Sequence, residues 1–471
     1  MGGRYVIETR REATHESEGM RHRWLRRRPL GRYRYVRLRW RVVFAVVDYV
    51  GEVVFGTCRA LRSLFVARQT PTDTLGATAG LSSSAGITVG QANRATLPLG
   101  LDKPLARCTT ASANPHEDPR VILLVQLDHL GDAIISTAML PPLRRRYPDA
   151  SIEVLAGPWN REVFEAAPQV DRVHVSRANR FARRRLARLA WIPAVFWWGL
   201  RLRRRKVDLG IDVRGDFPVA LILWLCGARR RLGWDCGGGG FLLTDRPAFV
   251  PSRPEVQSRW ALLGALGIQP LSAADSWRAS FRPSDTARRE IASRLAEFSS
   301  GPLVVLHVGA GTAAKSWPVG HWRELLGRLV VHLGVHVVLV GSGSDRTIAA
   351  RILGQWRWPG VADWTGRLTV VELAALVERA ELLVGADSGP AHLAAAEETP
   401  VVVLFSGTNN ARQWQPCGGQ VTVLRHPVDC SPCHRGRCPR PDHPCMNQLR
   451  PQRVAREVER ILSWRFAEIP C

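Results

Sequence analysis

At 471 residues, 45% of them hydrophobic, the chain has enough apolar material for more than one buried core and exceeds the usual size of a single small domain. Its formal charge of +25 points to a polyanionic partner, whether a phosphorylated ligand, an acidic membrane surface or nucleic acid, and carries no information on fold. Ten cysteines over this length are not the density of a disulfide-stapled secreted domain, and no stretch has the pattern of a cleavable signal peptide. A cytoplasmic location is therefore expected.

Residues 1–115 differ from everything after them. Between Arg21 and Arg41 stand ten arginines and no acidic residue, interleaved with Trp24, Tyr33, Tyr35 and Trp40. Val42 to Phe55 is mostly apolar but broken by Asp48 and Glu52, too short and too charged for the about 20 apolar residues of a membrane span. The segment fits an anionic leaflet, a solvated basic arm, or contact with nucleic acid through arginine and stacked aromatics. No RNA- or DNA-binding fold signature accompanies the charge, so nucleic acid is the least expected partner. Gln69 to Pro119 is rich in Thr, Ser, Ala, Gly and Pro without periodicity and reads as a linker. Residues 1–115 are thus expected to be a basic, disordered extension outside the folded domains.

From Val121 the pattern is strand and helix in alternation, which implies parallel sheets. Val121 to Val125 is a buried-type strand, followed by Gln126-Leu-Asp-His-Leu-Gly-Asp132 and a helix from Ala133 to Arg146. Asp132 stands where strand hands over to helix, the ligand position of open α/β folds, although a helix cap is the plainer reading. Strands Ser151 to Ala156 and Arg172 to Val175 continue the pattern, with a short helix near Arg161 to Ala166 between them. Arg177 to Lys206 is an insertion whose basic clusters, Arg183 to Arg185 and Arg201 to Lys206, bracket the apolar Leu186 to Leu200 with Trp191, Phe196, Trp197 and Trp198. It fits a core helix with snorkelling ends or an interfacial helix, and Pro193 argues against one straight helix. Strand Val207 to Val213, a helix through Cys226, a flexible loop at Gly237 to Gly240, strand Thr244 to Val250 and helix Glu255 to Leu266 complete a first domain, residues 120–280. Gly267 to Pro283 reads as the boundary.

Residues 284–471 repeat the plan. Strand Leu303 to Val308 runs into Gly309-Ala-Gly-Thr-Ala-Ala-Lys315-Ser-Trp-Pro and a helix from Val319 to Val331. Gly309 and Gly311 let backbone fold round a ligand, Thr312 offers a hydroxyl, and Lys315 a point charge suited to phosphate; the spacing is not that of a Walker A loop. Strand Val335 to Val340 and a helix over Glu372 to Arg379 precede Leu382-Leu-Val-Gly-Ala-Asp387-Ser-Gly-Pro-Ala-His392. That stretch reads as strand, turn and helix, with free N–H groups and the helix dipole placed for an anion such as a nucleotide diphosphate. The plainer alternative is that Asp387 and Ser388 only cap the helix, with Gly389 in the turn and Pro390 in its first turn. Val401 to Phe405 adds a strand, and Pro451 to Trp464 a last helix. Cys430-x-x-Cys433 with Cys438, Cys445, His434 and His443 has a spacing suited to structural zinc, although such spacings also occur without metal. A structural rather than catalytic role is expected for that cluster.

Three segments together resemble the signatures of glycosyltransferase family nine, the ADP-heptose:lipopolysaccharide heptosyltransferases. They are Val121-Ile-Leu-Leu-Val-Gln-Leu-Asp-His-Leu-Gly-Asp-Ala-Ile, His307-Val-Gly-Ala-Gly-Thr-Ala-Ala-Lys-Ser-Trp-Pro and Gly385-Ala-Asp-Ser-Gly-Pro-Ala-His-Leu-Ala-Ala, and the likeness runs from about Val121 to Leu462. The resemblance implies an α/β fold of GT-B type, two Rossmann-like domains facing a central cleft, with acceptor on the first and nucleotide sugar on the second. It further implies inversion at the anomeric carbon, no cofactor and no catalytic metal, with Asp132 as general base. Lys315 with Gly309, Gly311 and Thr312 would hold the donor diphosphate, and Asp387, Ser388, Gly389 and His392 the rest of the donor. The expected partners are a nucleotide-sugar donor, a lipid-linked glycan acceptor and the anionic inner-membrane surface. The competing class is an inactive basic membrane- or RNA-associated protein that keeps the fold. The extension lies outside the family pattern, and His129 stands where relatives often carry Arg or Ser.

Overall fold

The computed structural model describes residues 38–67, 118–178, 191–269, 279, 281–298 and 301–467. The arginine-rich stretch before Leu38, most of the linker and the Arg183 to Arg185 cluster lie outside the described residues. In chain order the elements are α1 (Leu38–Ala67), β1 (Val121–Gln126), α2 (Leu130–Thr137), α3 (Leu140–Arg146), β2 (Ser151–Ala156), α4 (Arg161–Glu165), β3 (Arg172–Val175), α5 (Trp191–Leu202), β4 (Leu209–Asp212), α6 (Phe217–Leu225), β5 (Arg230–Gly233) and α7 (Glu255–Gly264). They continue with α8 (Asp285–Leu295), β6 (Leu303–His307), α9 (Val319–Gly327), β7 (His336–Val340), α10 (Arg346–Leu353), β8 (Val361–Asp363), α11 (Val370–Glu378), β9 (Leu382–Ala386), α12 (Gly389–Ala396), β10 (Val401–Phe405), α13 (Ala411–Trp414), β11 (Val421–Arg425), α14 (Pro444–Asn447) and α15 (Pro451–Ala467). By contacts, residues 1–48 and 117–471 form one unit and residues 49–116 another.

The first unit holds two sheets, ordered β3-β2-β1-β4-β5 and β11-β10-β9-β6-β7-β8, and every pairing in both is parallel. Helices cover both faces of each, so strands such as β1 and β6 are mainly apolar, ending in Gln126 and His307, rather than alternating. In β1, Ile122 and Leu124 pack with Ile134 and Leu143 on one side, while Leu123 and Val125 pack with Val195, Trp198 and Ile222 on the other. This is the doubly wound α/β architecture of two Rossmann-like halves.

Three local expectations are corrected. No strand forms over Thr244 to Val250, where only a bridge from Leu232 to Asp245 is made. The fifth strand is Arg230–Gly233 instead, concealed from a hydrophobicity count by two arginines. Their charges are met locally: the Arg230 guanidinium pairs with Asp245 at 2.8 Å and Arg231 donates to the Leu242 carbonyl. Gly237 to Gly240 is not a flexible loop. All four glycines are buried, and a Cβ on Gly237 would lie 2.0 Å from the Gly215 carbonyl oxygen.

The third correction concerns the extension, part of which folds. The first turns of α1 join the unit of the two sheets: Phe44 fills the space over Gly238 and meets Phe217, and the Asp48 carboxylate, 1% exposed, accepts a 2.7 Å bond from the Gly239 N–H. The described helix of the insertion, α5, runs from Trp191 with Pro193 near its start, and the stretch before it lies outside the described residues. The expected boundary falls between α7 and α8, mostly on residues outside the described ones.

The two sheets approach each other through their helices. The N-terminus of α2 packs on that of α12, the Val370 N–H at the start of α11 donates to Glu162 of α4 at 2.8 Å, and Gln413 of α13 donates to Glu255 of α7 at 2.7 Å.

Candidate active site

In a doubly wound sheet the crevice for a ligand opens at the carboxyl ends of the two strands where the order reverses. Here those strands are β1 and β4 in the first sheet, and β6 and β9 in the second. The turn to Asp132 leaves β1, the Gly309 to Lys315 loop leaves β6, and the Asp387 turn leaves β9. The second sheet thus brings both of its predicted donor segments to one crevice.

There the Lys315 Nζ lies 2.6 Å from Asp387 Oδ2 and donates to the Asp387 carbonyl at 3.1 Å. Asn409 Nδ2 donates to the same Oδ2 at 3.0 Å. Asp387 is 5% exposed and Lys315 is half-buried, so the pair is shielded from water on one side and open on the other. Ser388 occupies the N-cap position of α12 yet makes no side-chain cap bond; its hydroxyl donates to the Ala386 carbonyl and lies 3.2 Å from His307 Nδ1. The plain capping role therefore does not account for Asp387 or Ser388; Pro390 has no N–H and the Ala391 N–H donates to the Ser388 carbonyl at 3.1 Å, which leaves the Gly389 N–H and the helix dipole for a ligand. Gly309 is required by close approach, since a Cβ there would lie 2.4 Å from an Asp345 carboxylate oxygen. Gly311 has open space around it, and Thr312 is exposed beside it.

Two buried histidines flank this crevice. Burial pushes the His392 imidazole down to about 4, with Asp387 pulling the other way and Lys315 adding to the depression. Burial likewise lowers His307 to about 4. Both are neutral near pH 7, able to exchange hydrogen bonds without adding charge.

Asp132 comes from the other sheet. It lies in the first turn of α2, whose N-cap is His129, so it is not the cap residue. The halves touch at this point: a Cβ on Gly131 would be 3.1 Å from His392 Cδ2, and one on Gly389 would be 2.8 Å from Leu130 Cδ2. Glycine on both sides lets two helix N-termini meet, which places Asp132 next to the turn that carries Asp387 to His392.

Sequence reading missed the group behind Asp132. Arg259 of α7, 3% exposed, sets its Nη2 3.9 Å from Asp132 Oδ1, donates to Ser136 Oγ at 3.2 Å and pairs with Glu255 at 3.0 Å. Glu255 in turn accepts from Gln413 of the second half. The i, i+4 spacing of Glu255 and Arg259 was a visible signal for a paired helix face, though not for its target. A second missed set lines the β1/β4 crevice, where the Arg214 guanidinium bridges the Asp128 and Asp216 carboxylates. Beside it lies an open cleft walled by Val125, Trp191, Val195, Trp198, Val219 and Ile222.

The cysteine-bearing segment is tied to the donor crevice by backbone bonds. The Ala314 N–H donates to the Gly436 carbonyl, and the N–H groups of Cys433 and His434 donate to Gly407 and Thr408. Cys445 is buried, with its thiol pushed up chiefly by burial, whereas Cys430 is exposed and Cys433 and Cys438 are partly so. Among the described residues, no group of three or more His, Cys, Asp or Glu is arranged to hold a metal ion. The segment acts as a clamp on the loops that carry Lys315 and Asn409.

The family described as glycosyltransferase family 9 (heptosyltransferase) matches residues 197–443, slightly more than half of the chain. Lipopolysaccharide heptosyltransferase 2 of Salmonella typhimurium is 26% identical over 358 residues, covering 73% of this chain and 98% of that protein. Lipopolysaccharide heptosyltransferase 3 of Escherichia coli is also 26% identical, over 61% of this chain and 83% of its own. Among solved structures, the E. coli ADP-heptose lps heptosyltransferase II superposes with a TM-score of 0.60 at 22% identity, over 73% of this chain and 99% of that one. A family 9 glycosyltransferase from Veillonella parvula gives 0.61 at 18% identity, over 75% and 99%.

Proposed function

The chain belongs to glycosyltransferase family 9, and from that premise we propose that it moves a heptose from an ADP-linked donor to a lipid-linked glycan of lipopolysaccharide type, with inversion, at the cytoplasmic face of a membrane. The observation that carries this reading is the packing of α2 on α12 through Gly131 and Gly389, which sets one carboxylate from the first sheet against the anion-binding turn of the second.

In the proposed reaction Asp132 accepts the proton of the acceptor hydroxyl as its oxygen attacks the anomeric carbon. The bond from that carbon to the diphosphate oxygen breaks on the opposite face, and the electron pair leaves with the nucleotide diphosphate. Charge therefore grows on the diphosphate, where fixed donors are worth most in a water-poor cleft. Lys315 and the Gly389 N–H at the start of α12 supply them, and Asp387, itself held by Asn409, keeps the ammonium in place before the donor arrives. Neutral His392 is suited to a donor hydroxyl. Approach of the two halves excludes water from the reacting carbon and so suppresses donor hydrolysis. Names of relatives supply the choice of sugar and acceptor: they are lipopolysaccharide heptosyltransferases, and one solved neighbour in this fold is the E. coli heptosyltransferase WaaC with ADP.

A thermal-shift panel of ADP-, UDP- and GDP-linked sugars tests the donor assignment without any acceptor. An ADP-linked heptose at a hundred times its dissociation constant should stabilise the fold by about 2.7 kcal/mol. A response confined to UDP sugars would redirect the donor, and no response to any nucleotide diphosphate would overturn the donor site.

A further inference from the structure

On the face of the first sheet turned away from the second half, α5 and α6 cover Leu123, Val125 and Leu155. Helix α5 buries Val195, Trp198, Gly199 and Leu202, the i, i+3, i+4, i+7 stripe of an ordinary core helix. Its opposite side is apolar as well. Ile192 is 47% exposed, Phe196 49%, Trp197 53% and Leu200 55%, and Trp224 of neighbouring α6 is 41% exposed. With the described residues around them, the four α5 side chains stay about half exposed, and an apolar patch of this kind marks an interaction site.

The charge around it selects the partner. From Arg177 to Lys206 the sequence holds ten arginines, one lysine and no acidic residue. Arg201, Arg203, Arg204 and Lys206 are exposed just past the apolar side, and the Arg201 guanidinium lies 5.0 Å from the Trp197 ring centroid. Arg205 alone of this cluster turns inward, to the buried Glu153. A protein partner with acidic side chains would match the arginines but not four adjacent large apolar side chains led by tryptophan. A leaflet with anionic headgroups over acyl chains matches both. Among the described residues no helix is long and apolar enough to cross a membrane, so α5 lies along the surface.

We propose that the outer side of α5 docks the protein on an anionic membrane leaflet, with Ile192, Phe196, Trp197 and Leu200 in the acyl boundary and Arg201, Arg203, Arg204 and Lys206 among the headgroups. This surface lies across the sheet from the packing of α2 on α12, so docking leaves the cleft open. The inference stands apart from the sugar and acceptor assignment, because docking needs neither.

The test is sedimentation of the full chain with vesicles of phosphatidylcholine, with and without phosphatidylglycerol, at low and high salt. Salt of about 0.5 M or more screens the arginine-rich N-terminal stretch but not apolar insertion. The wild type should bind phosphatidylglycerol vesicles in both salts, whereas Phe196→Glu/Trp197→Glu should lose about tenfold or more of its binding in high salt. Both proteins should keep the same melting temperature, as expected for exposed positions, and the same donor-induced shift. High-salt binding that is equal in the two proteins would overturn the proposal, as would a wild type that binds no vesicles. So would a wild-type dimer that the double variant converts to a monomer without any vesicle binding, since the face would then be a subunit interface.

Discussion

Each ionisable side chain of the cleft has its state set by what it touches. Lys315→Ala removes the point charge proposed for the diphosphate and, among the described residues, leaves Asn409 as the side-chain donor to the Asp387 carboxylate. We expect ADP binding to weaken by roughly 1–3 kcal/mol in calorimetry; unchanged binding would remove Lys315 from the donor site. The buried histidines predict a pH effect on stability. His307 and His392 fall to about 4 in the folded state against 6.5 for a free imidazole, so the unfolded chain takes up protons first as the solution is acidified. Stability held above about pH 6.5 should therefore be lost as pH falls toward 4, at up to about 1.4 kcal/mol per unit for each histidine. Urea unfolding between pH 7 and 4.5 measures this, and a flat profile would contradict the neutral buried state. Asp132, Lys315 and Asp387 were legible in the sequence because each follows a glycine-marked turn off an apolar strand. Arg259 and Asn409 were not, since a contact made by a side chain from a distant helix or loop leaves no local pattern.

At the scale of elements, the strands announced themselves wherever both faces are covered and the run is apolar for four or more residues, as in β1, β6, β9 and β10. β5 did not, because the Arg230 guanidinium is paired by Asp245, fifteen positions away, and Arg231 is met by the Leu242 carbonyl, eleven away, contacts that only the folded chain makes. The glycine run at 237–240 reads as flexible in isolation, but its lack of side chains serves close packing and admits Phe44 and Asp48 of α1. Asp48→Ala should leave the buried Gly239 N–H without this acceptor and cost about 1–3 kcal/mol in chemical denaturation. An unchanged midpoint would mean that α1 contributes nothing there. The contact of α2 with α12 makes a sharper demand. Gly389→Val places carbon within 2.8 Å of Leu130, so the halves must separate or α12 must shift. The variant should keep ADP affinity within a few fold while turnover falls by about a hundredfold or more, the scale of an ångström of misplacement. Full turnover would mean that this contact does not set the distance between base and donor.

For the molecule as a whole, the GT-B architecture follows from a duplicated pattern that sequence displays twice, and the comparisons carry the family. What sequence alone left open was which surfaces are covered. Arg177 to Lys206 reads as a core helix with snorkelling ends or as an interfacial helix, and the structure gives α5 both characters on opposite sides. The net charge of +25 gains meaning only through that placement, with basic residues beside the exposed tryptophans. In the proposed reaction two sheets, one bearing Asp132 and the other Lys315 and Asp387, make transfer depend on their approach rather than on either alone. The decisive measurement is acceptor-dependent release of ADP from ADP-heptose by wild-type protein and by Asp132→Asn, with donor binding followed in parallel. Release should require the glycan acceptor and fall by about 10²–10⁴-fold in the variant, the usual worth of a general base, while donor affinity stays within a few fold. Release at the wild-type rate by Asp132→Asn, or acceptor-independent release by the wild type, would contradict the account.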